Sequence, residues 1–581
     1  MQTFSMGLTK LKKSMTYQLA FVAENKDCGV ILIDKKTKEE AERISFGNAV
    51  RFGNVVIGEI VGKSMMDYGY LLYDGELIFS DPYAKAFLPI GTYGEMQNMP
   101  KVAMFEEASD KVAVVRMEQT DTKELVVYEA HVRGFTMHPS SRVKGKGTFY
   151  GMMQKIPYLK ELGINAISLQ PIYEFEETDA SGKLNYWGYT DGYYFAPKAS
   201  YSYGANAVSE CRQMINAFHE NGIEVILQFY FPQKTAYDYM AEVLRHWVYA
   251  YGVDGFHLIG DGICFDALAK DAMLQGVRLW YHDTYGMQDE CRYGKEDNRR
   301  FGLYREDYLY EMRRFLKGDE NLAGAVSTRM RMNPMGYHHV NFFAHYMGFT
   351  MADMVTYERK NNMENGEGGQ DGPSYNANWN CGVEGETKKR SIQNLRKKQI
   401  KNAFMLLMTS AGVPLIFMGD EFGHSQGGNN NPYCIDGKTT WLDWSYAKKN
   451  EEMVSYVRDL ISLRRKAKVF MQPKECMLMD YLSCGYPDLS YHGKEAWKPQ
   501  MESFSREFAM LFAGEYVGNK GTFYYVAINM HHETHEFAFP KMPKKSVVSC
   551  LMATDNHTKA DDGMIVLPQR SMAIYFIETI R

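Results

Sequence analysis

The segments "LVVYEAHV" (125–132), "FYGMMQKIPYLKELG" (149–163) and "INAISLQPI" (164–172) decide the fold of this sequence. An apolar, strand-like run is followed by a segment with helical spacing of apolar residues, and then by a second strand-like run. The same order follows at once in "VSECRQMINAFHENG" (208–222) and "IEVILQFYF" (223–231). Repeated βα units of this size predict parallel strands that are joined by crossover helices.

The alternation of strand-like and helical segments continues to about residue 455. Later strand-like runs are "VDGFHLI" (253–259), "HVNFFAHY" (339–346) and "VPLIFMG" (413–419), and helical segments such as "LRKKQIKNAFMLLMTSAG" (395–412) lie between them. Together these runs supply enough units for eight strands. The sequence therefore predicts an α/β protein whose central part, residues 121–455, is a (β/α)8 TIM barrel.

The two ends of the chain have a different pattern. Residues 1–120 and 456–581 contain short apolar or alternating runs, such as "GVILID" (29–34) and "TFYYVAINM" (522–530), which are separated by turn residues. Such runs are typical of antiparallel strands. We expect an N-terminal β-sandwich before the barrel and a C-terminal β-sandwich after it, which makes three domains.

The composition is that of an ordinary globular protein. Of the 581 residues 45% are hydrophobic and 24% are charged, and the formal net charge is -5. This charge gives no basic field that would attract nucleic acid or an anionic membrane, and no apolar window is long enough to span a bilayer. The nine cysteines form no CxxC pair, which favours reduced thiols and a cytoplasmic location. We expect no cofactor and no metal.

Several long segments resemble the debranching branch of glycoside hydrolase family 13, which contains glycogen debranching enzyme and isoamylase. They are "DPYAKAF" (81–87), "YEAHVRGFT" (128–136), "NYWGYTDGYYFAPKASYS" (185–202), "NWNCGVEGETKK" (378–389) and "GVPLIFMGDEFGHSQGGNNNPYC" (412–434). The resemblance runs nearly end to end. It implies an alpha-amylase-like barrel, an N-terminal sandwich of the carbohydrate-binding type, and a role in the metabolism of an α-glucan such as glycogen or starch.

The resemblance places the family's chemistry at the carboxyl ends of barrel strands three, four, five and seven. Hydrolysis with retention needs a carboxylate nucleophile and a carboxylic acid about 5 to 5.5 Å apart, because one forms the glycosyl ester and the other protonates the leaving oxygen. After strand four the family has Gly-Phe-Arg-X-Asp, whereas residues 255–259 here are Gly-Phe-His-Leu-Ile. The nucleophile slot is Ile259, and His257 replaces the Arg partner of that nucleophile.

Two further strand ends depart from the family pattern. Strand three has Gln228, Pro232 and Gln233 in the slots of an Asp, an Asn and a His. Strand seven has Tyr346 and Met347 before Gly-Phe-Thr, where the family has His-Asp. We therefore expect no catalytic residue of the family mechanism in this chain.

The acid of strand five stays open. The segment "VRLWYHDTYG" (277–286) offers Tyr281, His282 or Asp283 in that slot, depending on the register, and only Asp283 has a carboxyl group. The loop after strand three (233–240) is also shorter than its counterpart in the family. One wall of the substrate cleft is therefore expected to be missing.

Carboxylates outside the family slots are the candidates if the chain is an active hydrolase. Asp261 and Asp283 would then supply the acid and the nucleophile. Asp283 with His257 and His282 would alternatively form a metal site or a new acid-base pair, but we expect these residues to fill a pocket that has lost its function. The Asp-Glu pair of "GDEF" (419–422) is expected to be structural, because adjacent side chains at a strand end point in opposite directions.

Aromatic and amide side chains are the candidates for glucan binding. Tyr186, Trp187 and Tyr189 would stack on sugar rings, with loop packing as the alternative. Asn430 and Asn431, in the run "GGNNNPYC", would bind sugar hydroxyls, although such Asn/Gly runs mostly serve turns with positive φ.

The sequence thus favours a non-hydrolytic member of the debranching family. It would bind an α-glucan (glycogen or starch-like), or a glycogen-metabolising protein, through its retained sandwich and barrel surfaces. One alternative is an active α-1,6-glucan debranching hydrolase that uses unaligned carboxylates. Another is a structural partner of an active homologous enzyme, with an exposed apolar patch as the interface.

Overall fold

The computed structural model describes residues 5–11, 15–89, 92–96, 99–105, 112–204, 206–282, 300–334, 336–561 and 563–580. Asp283, one of the two fallback carboxylates, lies outside the described residues. No helix of the described part is both long enough and apolar enough to cross a membrane.

Eight parallel strands form a closed barrel in which each strand pairs with the next one along the chain, and the eighth pairs with the first. We number them as barrel strands 1 to 8: Val127–Ala130, Ala166–Leu169, Glu224–Tyr230, Gly255–Ile259, Arg278–Tyr281, Phe301–Tyr304, His338–Phe342 and Val413–Phe417. This arrangement confirms the predicted α/β class and the TIM barrel.

The barrel is packed on both faces of its strands. Inside, Val127, Ala166, Ile226, Trp280 and Leu415 belong to one buried apolar cluster, so the barrel has a solid interior and no channel at this level. Outside, the strands are covered by helices with apolar inner faces. Within the described residues, the α-helices are Val132–Met137, Phe149–Met153, Ile156–Leu162, Ala207–Glu220, Tyr237–Tyr251, Phe265–Lys270, Glu306–Lys317, Ala323–Arg331, Met351–Met354, Arg390–Thr409, Ser445–Lys449 and Glu451–Ala467.

Two antiparallel sheets precede the barrel and share one core. The first contains Gly7–Lys10, Thr16–Val22, Val55–Val61 and Val50–Phe52, and the second contains Glu40–Ser45, Cys28–Asp34, Tyr68–Asp74, Leu77–Phe79 and Ala103–Met104. Leu19 and Phe21 of the first sheet pack with Val30 and Leu72 of the second. This packing is that of a sandwich.

Two more antiparallel sheets follow the barrel. One contains Leu489–His492, Glu507–Ala513, Thr522–Asn529, Ser571–Thr579 and Ser546–Ala553, and the other contains His535–Ala538, Met564–Leu567 and Lys559–Asp561. Leu511 and Tyr525 of the larger sheet share a core with Phe537 and Ile565 of the smaller one.

The division of the chain at residues 120 and 455 stays a prediction. The second point falls inside the helix Glu451–Ala467. Val457 and Ile461 of this helix belong to the same buried cluster as Phe404 of the barrel helix Arg390–Thr409. The helix therefore packs as part of the barrel.

Candidate functional site at the barrel mouth

Barrel strand 4 carries Ile259 and His257, which the resemblance assigns to the slots of the nucleophile and its Arg partner. The pairing of strands 3 and 4 sets Gln228 beside His257 and Tyr230 beside Ile259. Because side chains alternate along a strand, His257 and Ile259 share a face of the strand. His257 is fully buried, and Ile259 packs against the hydrophobic core. Ile259 has no atom that could form a glycosyl ester.

Seven rings fill the barrel mouth, and we call them the ring cluster: His257, His282, Tyr304, Phe342, His345, Tyr346 and Tyr189. His257 lies flat on Tyr304, with ring centroids 3.7 Å apart, and His282 lies 4.6 Å from His257. From Tyr304 the contacts continue to Phe342 at 5.6 Å and then to His345 at 4.9 Å. His345 lies 5.1 Å from Tyr346, which lies 4.4 Å from Tyr189. The ring cluster thus crosses the barrel from strand 4 to the loop after strand 7.

The three histidines of the ring cluster are neutral at pH 7. Burial lowers the pKa of His282 to about 4 and brings the pKa values of His257 and His345 well below the ordinary value of histidine. Neither ring nitrogen of His257 has a hydrogen-bond partner within the described residues. In that same part of the chain, no third ligand completes a metal site with His257 and His282. Asp283, the third residue of the alternative metal site, lies outside the described residues.

The strand motif "YEAHVRGFT" places a buried carboxyl group, Glu129, in the barrel interior, a role that the sequence pattern did not reveal. Glu129 pairs with Ser168 of strand 2 and has no exposed surface. Burial raises the pKa of Glu129 to about 8, so this group is protonated at pH 7. Glu129 and the three histidines therefore supply no charge that could stabilise an oxocarbenium-like transition state.

Gln228, in the altered slot of strand 3, is bound into the same interior. It is fully buried, its side-chain amide donates a hydrogen bond to Ser168 Oγ at 3.0 Å, and its carbonyl oxygen accepts one from the hydroxyl of Tyr189. Both ends of the amide are thus satisfied by the protein. Gln228 acts here as a structural link between strands 2 and 3 and the loop of Tyr189.

The loops after strands 3 and 4 lie directly on each other. Gly260 has φ +119°, and a Cβ atom at this position would lie 2.1 Å from the carbonyl oxygen of Phe231. Gly262 is similarly close to Pro232 and Gln233. The backbones of these two loops are therefore in contact, and a substrate could lie between them only if the loops were arranged differently. Asp261, between the two glycines, is exposed on this turn.

The loop after strand 7 is fixed by a buried guanidinium group. Arg313 donates hydrogen bonds to the carbonyl oxygens of Phe343 at 2.8 Å and Phe349 at 2.7 Å. Between these two anchors, Tyr346 turns into the ring cluster, whereas Met347 is 37% exposed. A small cavity of about 30 Å³ lies beside Met347, between this loop and the helix Glu306–Lys317, and has room for water.

Asp420 and Glu421 have separate partners. They lie in the short 3-10 helix Asp420–Phe422, where Asp420 accepts a hydrogen bond from the backbone N–H of Met351 at 2.8 Å. Glu421 accepts hydrogen bonds from the hydroxyls of Tyr128 at 3.0 Å and Tyr158 at 2.7 Å. Both carboxyl groups are fully buried and hold parts of the barrel together. Their contacts agree with the structural role expected from the sequence.

The three aromatic candidates for glucan binding are packed within the protein. Tyr186 is 1% exposed and stacks on His131 with ring centroids 4.1 Å apart. Trp187 is 7% exposed and meets Tyr346 edge to face at 5.2 Å, and Tyr189 belongs to the ring cluster. Glucan stacking by these residues stays a prediction.

Asn430 and Asn431 join two Gly/Asn-rich loops. Asn430 Oδ1 accepts a hydrogen bond from Asn362 Nδ2 at 2.8 Å, and Asn430 Nδ2 donates to Asn376 Oδ1 at 2.9 Å. Asn431 Nδ2 donates to Asp371 Oδ2 at 2.9 Å. These hydrogen bonds give both Asn side chains a structural role in joining the loops. Their binding of sugar hydroxyls stays a prediction.

Comparison with known proteins fits this fold. Residues 118–232 match the catalytic domain of alpha amylase. Isoamylase SU1, a chloroplastic protein of Zea mays, is 30% identical to this chain over 87% of this chain and 75% of its own length. The chain belongs to the debranching branch of glycoside hydrolase family 13. A GlgX homolog of Mycobacterium tuberculosis, described as a glycogen operon protein, is also 30% identical to this debranching-family chain, over 70% of this chain and 67% of the homolog.

Solved structures with this architecture include pullulanases. The pullulanase SAP of Group B Streptococcus, solved in complex with maltotetraose, superposes with a TM-score of 0.76 at 15% identity and covers 99% of this debranching-family chain and 88% of its own chain. The catalytic module of the pneumococcal glycogen-degrading protein SpuA gives a TM-score of 0.76 at 15% identity, over 99% of this chain and 97% of the module. At these identities the superpositions show a common fold.

Proposed function

We propose that this protein is a non-hydrolytic member of the debranching family that acts in α-glucan metabolism by binding. The observation that carries the proposal is Ile259, which occupies the nucleophile slot at the end of barrel strand 4 next to a fully buried His257. Retention requires a carboxylate at that position, and an alkyl side chain cannot replace it. The uncharged ring cluster beside Ile259 supports the same conclusion.

The ligand we propose is an α-glucan such as glycogen or starch, with a glycogen-metabolising protein as the alternative partner. Support for a glucan comes from the relatives, since a pullulanase of the same fold was solved with maltotetraose. We further propose a cytoplasmic location, because all eight cysteines of the described residues are unpaired. No role in nucleic-acid or membrane binding is proposed, given a formal net charge of -5.

Affinity electrophoresis in gels that contain glycogen tests the binding. Glucan binding predicts retarded migration of the wild type, and retardation lost in Trp187→Ala if the aromatic loop carries the binding. Tyr249→Ala is the matched control, because Tyr249 is 74% exposed on the helix Tyr237–Tyr251, away from the barrel mouth. Equal migration of the wild type with and without glycogen would leave a partner protein as the ligand, which co-purification from the source cell would then identify.

The second candidate function is an active α-1,6-glucan hydrolase that uses Asp261 and Asp283. Asp261 is exposed on the turn after strand 4, close in sequence to the nucleophile slot, and this placement is what favours it. The variants Asp261→Asn and Asp283→Asn separate the two candidates. Only the hydrolase predicts reducing-end release that disappears in these variants.

A further inference from the structure

The segment "HHETH" (531–535) brings three metal-binding side chains together in the C-terminal sandwich. One ligand atom from each of His531, Glu533 and His535 lies within 4.8 Å of the other two. The rings of His531 and His535 have centroids 4.7 Å apart. The segment connects the strand Thr522–Asn529 of the larger sheet with the strand His535–Ala538 of the smaller one, far along the chain from the barrel mouth.

We propose that this turn is a structural binding site for Zn²⁺ or a similar divalent transition-metal ion. Two imidazole nitrogens and one carboxylate oxygen are a ligand set that suits Zn²⁺, with water in the remaining position. Calcium and magnesium prefer sites made of oxygen ligands and are not expected here. The proposal concerns a site separate from the barrel and does not depend on the proposed function.

Glu507 lies where it can orient the ring of His535 as a metal ligand. Its Nδ1 lies 3.4 Å from Glu507 Oε1, and its Nε2 is buried with no hydrogen-bond partner in the described part of the chain. A carboxylate that holds the proton on one ring nitrogen leaves the lone pair of the other nitrogen free for a metal. Glu507 is therefore a positioning residue behind the ligand His535.

The turn is also held in shape before any ion binds. The buried side chain of Asn529 accepts a hydrogen bond from the N–H of His531 at 2.9 Å and donates one to the carbonyl oxygen of Glu533 at 2.9 Å. Such a clamp reduces the conformational entropy that the ion would otherwise have to overcome. The N–H of Glu533 now donates to His531 Nδ1 at 3.1 Å, and an ion bound at that nitrogen would replace this contact.

The surroundings leave the site open to an ion. Glu533 is exposed, with a side-chain exposure of 70%, so an ion can enter from solvent and keep a water ligand. The neighbouring cation Arg506 is turned away, since its guanidinium group donates to Gly318 O, Phe504 O and Glu320. Arg570 links the turn to the barrel. Its backbone N–H donates to His531 O, and its guanidinium group donates to Lys317 O at the end of the helix Glu306–Lys317.

This position gives the ion a structural role. A bound cation would join the connection between the two C-terminal sheets to the strand that carries Glu507. It would do so next to the contact with the barrel helix Glu306–Lys317. We therefore expect the ion to stabilise the C-terminal sandwich and its junction with the barrel.

The test is zinc binding to the full chain after treatment with EDTA. Titration with ZnCl2 against a chromophoric chelator is expected to show one tight site per chain in the wild type and its absence in His531→Asn/His535→Asn. Glu507→Gln is expected to weaken binding about 10- to 100-fold, as loss of a positioning carboxylate does. His557→Asn is the control, because His557 is 89% exposed and lies outside the cluster.

Thermal unfolding provides the second readout and checks folding. In EDTA the wild type and the double variant are expected to unfold at the same temperature, whereas zinc is expected to raise Tm of the wild type only. Zinc binding that is equal in the wild type and the double variant would overturn the proposal. So would a wild-type Tm that zinc raises no more than that of the double variant.

Discussion

The imidazole ring of His257 lies flat against the phenol ring of Tyr304, with centroids 3.7 Å apart and planes 7° from parallel. The two residues stand on barrel strands 4 and 6, so their contact spans strand 5 across the barrel interior. His257 is the residue that the resemblance assigns to the slot of the family's Arg, and in this structure its ring serves packing.

The stack predicts opposite effects for two substitutions. His257→Phe removes two buried nitrogens that have no partner in the described residues and keeps a flat ring, so stability is expected to stay the same or rise by about 1 kcal/mol. Tyr304→Ala leaves a cavity in the buried cluster and is expected to cost about 3 to 5 kcal/mol. Denaturation midpoints of the purified variants measure both. A His257→Phe protein as unstable as Tyr304→Ala would show that the imidazole has a polar role.

Restoring the family's ion pair is expected to fail. In His257→Arg/Ile259→Asp a charged guanidinium group enters a fully buried position, which costs several kcal/mol unless the new Asp pairs with it well. The other slots that the resemblance assigns would still hold Gln228, Pro232, Gln233, Tyr346 and Met347. We therefore expect reduced stability and no release of reducing ends from glycogen. Measurable hydrolysis by this double variant would show that the rest of the site is intact.

Glu129 makes stability depend on pH between about pH 4.5 and pH 8. Burial raises its pKa from 4.5 to about 8, so the folded protein keeps the proton while the unfolded chain loses it above about pH 4.5. The contribution of Glu129 to the free energy of unfolding is therefore complete below about pH 4.5 and is lost as the pH rises to about 8. Each pKa unit corresponds to about 1.4 kcal/mol, so the loss amounts to a few kcal/mol. The Tm of Glu129→Gln should therefore rise relative to that of the wild type as the pH increases from 5 to 8. A Tm difference between the two proteins that stays constant over this range would contradict the prediction.

The buried histidines give the opposite dependence in acid. Burial lowers the pKa of His282 from 6.5 to about 4, so below pH 6.5 the unfolded chain binds a proton that the folded protein does not. The contribution of His282 to the free energy of unfolding is complete above pH 6.5 and is lost as the pH falls to about 4. Burial also lowers the pKa values of His131 and His424. These histidines are expected to lower Tm of the wild type as the pH falls over this range, whereas Glu129 acts in the opposite direction.

A matched pair of variants isolates the part of His282 in that acid dependence. His282→Gln removes the buried titrating group and is expected to make the fall in Tm between pH 6.5 and pH 4 shallower. His557→Gln removes an exposed histidine and is expected to keep the slope of the wild type. Identical slopes for all three proteins would mean that His282 titrates in the folded state as it does in the unfolded chain.

The sequence was sufficient for the barrel. It also assigns slots on strands 3, 4 and 7, because each slot is anchored by neighbouring motif residues, and these assignments stay predictions. Gly255 and Phe256 fix the register of Ile259, and Gly-Phe-Thr at 348–350 fixes that of Met347. On strand 5 no such anchor exists, so the sequence left three residues open for the acid slot. The pairing of Leu258 with Tyr281 places Tyr281 at the end of that strand.

The ring cluster could not be predicted for a different reason. Its contacts join residues on three strands and on loops that are distant in sequence. Tyr304 ends a strand of only four residues, Phe301–Tyr304, which gives a weak periodic signal. The aromatic loop candidate Tyr189 was identified, but its contact with Tyr346 depends on how the loops fold over the barrel. Burial of Glu129 likewise depends on the closed barrel.

The central claim is that this debranching-family chain does not hydrolyse glycosidic bonds. The most direct test is reducing-end release from glycogen and from a branched limit dextrin over a long incubation at high protein concentration. We predict release equal to that of heat-inactivated protein. Release that increases with protein concentration and disappears in Asp261→Asn or Asp283→Asn would contradict the claim and establish a hydrolase with relocated carboxylates.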